Sequence, residues 1–488
     1  MSDVFLGIDL GTSGVRCVAF DGTLGVLASE YVESSPTTVG GAVEQSPDAW
    51  WDAVVAVTSA VVRRLPDARS VRALGVSSQG ITVVPVDTAG VALRPAISWL
   101  DQRGEGVLQE LADRLDPEAL TDRTGLPFVG TYTLPKLLWL ALHEPEVARR
   151  AAAYWLPHDD VVFRLTGRAV TDHTLAGGTM AHALATRDWD DEALSAVGVR
   201  RDQLPELGEA GTPVGTLRPA VASVLGLSAS VVVGVGGQDQ KCAALAAGIS
   251  QGTMTLSLGT AAALETLVAD ASVPPGVPVF PFAVGDGFVR EVSTLTAGAA
   301  YRWFANTAGG GAGFDELNAR VSTAFALDGS PRRPYFLPQL ARVGFASDAE
   351  RWPVDPSGVF WGLTLDTTPD DLAAAVLEGI TCEIDALRRR VASDADTVRV
   401  FGGGAQGDVW CQLIADVTGL RVEALATHEA AAAGAALLGM MACGAAPRSR
   451  DAGPRLPVAG IREPGTRSAE MAERAAKHAE LSRLVYGG

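Results

Sequence analysis

Lysine is nearly missing from this chain: its 488 residues hold only Lys136, Lys241 and Lys477. The other basic residues are arginines, a bias that fits genome composition rather than function. They are also outnumbered, 39 Lys plus Arg against 57 Asp plus Glu, for a formal charge of −18. A surface of that sign repels phosphate backbones and anionic lipid, so neither nucleic acid nor a membrane is expected as a partner. An anionic ligand would therefore need a local cationic or metal-bound pocket. Cysteine is sparse too: Cys17, Cys242, Cys382, Cys411 and Cys443 form no CxxC pair. That spacing excludes a disulfide framework and reads as buried thiols in a reducing compartment. No apolar run approaches the ~20 residues of a membrane helix. The opening MSDVFLGIDLGTSG lacks a basic segment followed by a long apolar stretch, so no signal peptide and a cytoplasmic location are expected.

What is present is repetition. Gly7 to Asp21, GIDLGTSGVRCVAFD, reads as strand, tight Gly turn, strand, and Thr255 to Asp270, TLSLGTAAALETLVAD, reads the same way. Both contain Leu-Gly-Thr, at Leu10–Thr12 and Leu258–Thr260. Each hairpin is followed by a helix with Ser or Thr before Pro at its start, at Ser46-Pro47-Asp48 and Thr368-Pro369-Asp370. Each helix is followed by a strand that ends in a Gly turn, RALGVSS before Gln79-Gly80 and TVRVFGGG through Gly402–Gly404. The same order twice predicts a duplicated α/β domain, 1–247 and 248–488, with a cleft between the halves. Leu204 to Pro219 reads as an aperiodic Pro- and Gly-rich segment, and Thr466 to Tyr486 as an amphipathic surface helix.

Three groups of residues carry chemistry. The lysine-bearing phosphate loop GxxxxGK[ST] is absent. Two Gly-Thr turns offer an alternative, because each exposes backbone N–H groups beside a hydroxyl. Alone, each is an ordinary tight turn; together, with Asp9 ending the strand before the first, they suit a polyphosphate. A carboxylate beside phosphates is repulsive unless a cation lies between, so Asp9 implies magnesium. Arg16 lies four residues beyond the turn, within reach of phosphate. Asp239, in Gly236-Gly237-Gln238-Asp239-Gln240, begins a helix and reads as an N-cap, a general base, or both. Lys241, two residues on, reads as a solvated helix lysine.

These residues resemble those of the FGGY carbohydrate kinases, a family of xylulose, ribulose, glycerol and gluconate kinases. The likeness runs from Leu6 to about Gly444 in ordered blocks: GIDLGTSGVRCVAFD, TDHTLAGGTMAHALATRDWDDE, VGVGGQDQKCAALAAG, LSLGT and VFGGGAQGDVWCQLIADVTGLRV. It implies an actin/hexokinase-type fold, two ribonuclease-H-like α/β domains flanking a central cleft, that uses ATP and Mg2+ to phosphorylate a small sugar. In that pattern Asp239 matches the base and Asp9 the magnesium-associated carboxylate. Thr12, Ser13 and Arg16 match the first phosphate turn, and Gly259 and Thr260 the second. Gly298, Gly403, Gly404, Ala405 and Asp408 match positions around the nucleoside. Trp99, Asp101 and Arg103 resemble the W-x-D-x-R of xylulokinase-type members, in the sugar pocket; Trp99 also reads as core, and Asp101–Arg103 as a structural ion pair.

The chain departs from xylulokinases at Gly80-Ile81-Thr82, where Met-His-Gly is usual, which leaves Gln79 and Gln240 as substrate contacts beside Asp239. His158 stands where Lys is common, and reads as a pocket residue or a helix cap. The expected activity is transfer to a ketopentose such as xylulose, or a related ketose or polyol. The alternatives are an actin- or chaperone-like nucleotide-gated ATPase and a sugar sensor without kinase activity. A homodimer is one possible assembly. The two Gly-Thr turns are expected to face one shared cleft, with Asp239 on the side away from the Gly402–Ala405 turn.

Overall fold

The run VFLGIDL has no polar alternation, the pattern of a strand covered on both faces. In the computed structural model, which describes residues 3–326, 333–341, 357–391, 393–427 and 429–487, this run is the central strand β1 (Val4–Leu10). It pairs antiparallel with β2 (Gly14–Phe20), and β2 with β3 (Val26–Glu33). Helix α1 (Pro47–Arg64) follows, capped by Ser46 Oγ accepting from Ala49 N–H at 3.3 Å, with Pro47 in its first turn and two arginines in its last. The chain then returns as β4 (Val71–Ser78), parallel to β1. Strands β5 (Pro213–Thr216) and β6 (Val232–Gly234) complete the order β5-β6-β4-β1-β2-β3. The edge strand β5 lies in the segment that reads as aperiodic. A short edge strand needs no side-chain alternation and tolerates Pro213 at its first position.

Helix α2 (Asp239–Ala247) leads into the second half, and the pattern repeats. Hairpin β7 (Thr253–Leu258) and β8 (Ala262–Val268) is followed by β9 (Phe288–Thr294). Helix α3 (Pro369–Arg390), with a Thr368–Asp371 capping box, crosses to β10 (Thr397–Phe401) and β11 (Arg421–Leu425). The order β9-β8-β7-β10-β11 matches β3-β2-β1-β4-β6, with flanking strands at Val279–Pro281 and Val458–Arg462. These are the two α/β halves that the internal repetition predicts, with the ribonuclease-H-like architecture that the family resemblance implies. The final helix (Ser468–Tyr486) buries Met471, Ala475, His478 and Leu481 along one face, as its amphipathic spacing predicts. Among the described residues, no helix is long and apolar enough to cross a membrane.

The halves are joined by a shared core rather than by a linker alone. Helix α4 (Ala430–Ala442) follows β11 in sequence but packs on the first sheet. A Cβ on Gly7 would lie 1.8 Å from the Ala432 carbonyl oxygen, and one on Gly75 would lie 1.9 Å from that of Ala435. Helices α2 and α4 meet at Gly434, where a Cβ would fall 1.9 Å from the Cys242 carbonyl oxygen. One apolar cluster runs through this contact, from Phe5 and Phe20 of the first sheet to Phe401 and Leu425 of the second.

Gly434→Ala should therefore force the helices apart and cost about 1–3 kcal/mol or more. Thermal melts should show a lower transition for this variant. Gly106→Ala, with nothing within 4 Å of the added Cβ, should melt with the wild type.

Candidate active site

The carboxyl ends of the parallel strands build the site, as expected of an open α/β sheet. Beyond β6 the chain makes a short bridge, Gly237–Gln238, on the end of β4. Ser77 of β4 is in register with Asp9 on one side and Gly237 on the other. At about 4.8 Å per strand the Asp9 and Gly237 backbones stand about 10 Å apart, and Asp239 opens α2 just beyond. Ser77 Oγ donates to Asp9 Oδ1 at 2.6 Å. Burial raises the Asp9 carboxyl above its ordinary range, with Ser77 and Arg16 pulling the other way. Burial, then the charge of Asp9, pushes Asp239 up to about 7.

Asp239 does not cap its helix. The N-cap is Gln238, whose side chain accepts from Lys241 N–H at 3.2 Å. Among the described residues, Asp239 is left with one hydrogen bond, from Gln240 N–H at 2.8 Å. The longer Gln side chain thus takes the capping role that a sequence reading gives to Asp, and frees the carboxylate for the cleft. Two buried contacts fix this turn from behind. His158 Nε2 accepts from Gly236 N–H at 3.2 Å, so His158 supports the backbone before Asp239 and does not cap a helix. Thr174 Oγ1 accepts from Gln238 N–H at 2.9 Å while donating to Asp172.

A cavity of about 300 Å³ opens at this point. Thr12, Gln79, Trp99, Asp239 and Gln240 line it from the first half, and Ala261, Phe280 and Glu291 from the second. The two Gly-Thr hairpins therefore face one cleft. Trp99 is a wall of this cavity rather than core, and its Nε1–H donates to Thr12 Oγ1 at 2.7 Å. A chain of amides anchored on Thr12 sets the polarity of the wall at Gln79. The Thr12 carbonyl can only accept, so it takes Gln45 Nε2–H at 3.1 Å. Gln45 Oε1 must then accept from Gln79 Nε2–H, at 2.8 Å. Gln79 Oε1 is left buried, lining the cavity with no hydrogen-bond partner among the described residues. Ile81, next to it, has φ +71, a costly conformation for a β-branched residue and one that marks functional sites.

A second cavity, of about 500 Å³, is lined by Gly259, Thr260, Gly298, Gly403 and Gly404 with Tyr301, Phe314 and Trp410. Tyr301 and Phe314 stack with centroids 5.7 Å apart. Gly298 and Ala299 donate to the carbonyls of Gly259 and Thr260, both at 3.0 Å, which docks a helix N-terminus on the second turn. A Cβ on Gly298 would lie 2.4 Å from the Gly259 carbonyl oxygen, so this approach requires glycine.

Other sequence-predicted residues lie off both cavities. Ser13 is exposed and its carbonyl accepts from Tyr31. Arg16 pairs with Glu429 at 2.7 Å, which joins the first hairpin to the start of α4. Ala405 is buried, and Asp408 is exposed and paired with Arg462. Asp101 accepts from Arg103 Nε and Nη2 at 2.7 and 2.8 Å and from Val43 N–H, and Arg103 stacks on Trp139. This pair braces the loop that carries Trp99, the structural alternative that its spacing left open. Buried Lys136 helps by donating to the Ser98 carbonyl at 2.8 Å.

Lys241 is not solvated. It is fully buried, bonded to Glu265 at 2.6 Å and to Glu291, with its ammonium 4.1 Å from the centre of the Phe280 ring. Glu265 and Glu291 are cross-strand neighbours on β8 and β9, so Lys241 ties α2 to the second sheet. One ammonium serves two carboxylates. Burial and the neighbouring Glu291 push Glu265 up to about 8, against the pull of Lys241. Burial also opposes the charge on Glu291, but Lys241 and Glu265 hold its carboxyl below the usual range. Sequence reasoning missed Glu265 and Glu291, since nothing local marks two strand glutamates as partners of a helix 24 and 50 residues away.

The N-terminal domain of the FGGY family of carbohydrate kinases matches residues 4–246, and its C-terminal domain matches 254–443. Xylulose kinase from Escherichia coli K12 is 32% identical over 435 residues, 86% of either chain. Xylulose kinase from Bacillus subtilis 168 is 30% identical over 449 residues, 90% of this chain and 88% of that one. A ligand-bound xylulose kinase from Lactobacillus acidophilus superposes with TM-score 0.91 at 22% identity, covering 100% of this chain and 99% of its own.

Lys241→Met should strand two buried carboxylates and cost about 3–5 kcal/mol, seen as a much lower melting temperature. Glu265→Gln should be mild by itself and should partly rescue Lys241→Met. Because the folded-state affinity of Glu265 for its proton is raised, its contribution to stability is lost as pH rises from the ordinary glutamate range through about 8. The melting temperature of wild type relative to Glu265→Gln should therefore fall across that window.

Proposed function

This chain belongs to the FGGY family of carbohydrate kinases, and we propose that it transfers the γ-phosphoryl group of ATP to a terminal hydroxyl of a linear ketopentose such as xylulose, or of a related ketose or polyol. The substrate class follows the xylulose kinases to which the chain is similar. The observation that carries the mechanism is the Asp239 carboxylate, released from capping by Gln238 and facing a sugar-sized cavity beside a phosphate turn. Asp239 orients the acceptor hydroxyl and takes its proton as the oxygen attacks phosphorus. With a proton affinity near neutrality it is basic enough to act and still partly ionised at neutral pH.

Thr12 at the first turn and Gly259 and Thr260 at the second hold the triphosphate, and Gly298, Gly403 and Gly404 surround the nucleoside, with Ser13, Ala405 and Asp408 as flanking positions that line neither cavity. Arg16 reaches phosphate by leaving Glu429. Asp9 fits magnesium: it is a hard oxygen donor, raised in proton affinity by burial, and near enough to Asp239 for its charge to act on that carboxyl. Bound magnesium supplies neutralisation of the phosphate oxygens beside that pair. The functional halves divide at 247/248, and their approach over the acceptor excludes water. A nucleotide-gated ATPase of the same fold has no use for the separate, sugar-sized cavity at Asp239.

A coupled ADP-release screen over pentuloses, pentitols, hexuloses and glycerol tests the activity. Asp239→Asn should lose roughly 10²–10⁴-fold in kcat while still binding ATP. In the wild type, kcat/KM should fall about tenfold per pH unit below about 7, as Asp239 becomes protonated. Turnover by Asp239→Asn near the wild-type rate would falsify the assignment of the base. Chelator should abolish activity, magnesium should restore it, and Asp9→Ala should not respond to magnesium. A fully active Asp9→Ala would remove Asp9 from the metal.

A further inference from the structure

The acceptor cavity has an unbalanced hydrogen-bonding character, and Glu291 is its least expected member. Resting on the kinase reading above, we propose that Glu291 is a specificity-determining residue, accepting a hydrogen bond from a second hydroxyl of the acceptor and restricting the enzyme to uncharged, hydroxyl-rich substrates against sugar acids.

Four observations support this. Glu291 lines the cavity with Asp239, Gln79 and Trp99, but comes from the second half of the chain on β9. Its side chain is 19% exposed, whereas that of its cross-strand partner Glu265 is 3% exposed, so only Glu291 can meet a ligand. Lys241, with no exposed side-chain surface, fixes the Glu291 carboxylate from behind without entering the cavity. The fourth observation is independent of the acidic cluster. Gln79 Oε1, which comes from the first half, is buried and without a hydrogen-bond partner among the described residues, held in that orientation by the amide chain to Thr12. Gln79, Asp239 and Glu291 thus all present acceptors to one space. A ligand that satisfies them must bring O–H donors, and a carboxylate in their midst would be repelled and left unpaired.

The cavity also holds Arg390, whose guanidinium donates to the Gly276 carbonyl at 3.1 Å, and Glu383, which accepts from Gln339 at 3.3 Å. An aldonate lying along Arg390 is thus the competing outcome, and the test includes it.

Steady-state kinetics of the full chain with neutral ketoses and polyols, and with pentonates and gluconate, separate the cases. The wild type should use its best neutral acceptor at least ~100-fold better in kcat/KM than any aldonate. Glu291→Gln should raise the acceptor KM roughly 10- to 100-fold, the value of a hydrogen bond to a charged group. The KM for ATP should stay within about twofold, and the neutral-to-acid preference should shrink. Glu291→Asp keeps the charge and the Lys241 partner, and should recover part of the lost affinity. A purely structural role would lower the melting temperature and depress every acceptor alike, without changing the neutral-to-acid ratio, and would overturn the inference. So would aldonates used as well as neutral sugars, or an unchanged acceptor KM in Glu291→Gln and, should that variant not fold, in Glu291→Asp. In each of these cases kinase activity survives and the parent reading stands. No ADP release with any acceptor would bring down the kinase reading and this inference together.

Discussion

Two helices built mostly of small residues cross between the sheets with their backbones in contact, and the rest of the molecule is arranged around that crossing. Gly434 lies against the Cys242 carbonyl, and Gly7 and Gly75 against those of Ala432 and Ala435. No side chain fits at these points, so the separation of the sheets is set by main-chain van der Waals contact and not by adaptable packing. That separation places the start of α2, with Asp239, beside the end of β4. It also places Glu429, just before α4, within 2.7 Å of Arg16 on the first hairpin. The first sheet therefore positions the N-termini of both helices, one from each half of the chain.

The cleft's second constraint is electrostatic. A strongly acidic chain gathers Asp9, Asp239, Glu265 and Glu291 near one another in a poorly hydrated space, where unpaired charge is costly. Each is handled differently. Asp9 takes Ser77, Glu265 and Glu291 share Lys241, and Asp239 has only the backbone of Gln240. The least compensated carboxylate is the one proposed as the base. The scarcity of lysine makes the contrast sharper. Lys136 and Lys241 are both fully buried, and both support the cavity walls from outside it.

Much of this was legible in the sequence. The two Leu-Gly-Thr hairpins, the Ser-Pro and Thr-Pro helix starts and the Gly turns after the fourth strands are local signals, because a turn or a cap is decided by a few adjacent residues. Their repetition in the same order predicted the duplicated fold and paired the turns at Thr12 and Thr260, whereas Asp239 was read from its place at a helix start and its role from the resemblance. The strand β5 escaped, since an edge strand of a few residues leaves no periodicity to read.

What the sequence left open were choices between two local roles for one residue, and these were decided by partners far along the chain. Trp99 is a cavity wall because Thr12, 87 residues away, accepts its indole N–H. Asp101 and Arg103 pair because Val43 and Trp139 enclose them. Gln238 caps α2 in place of Asp239, and Lys241 is buried because β8 and β9 bring Glu265 and Glu291 to it. Short-range hydrogen bonding and hydrophobic period determine elements and their order. The burial of a charge and the direction in which an amide points depend on what the folded chain places opposite them, and only the tertiary structure supplies that.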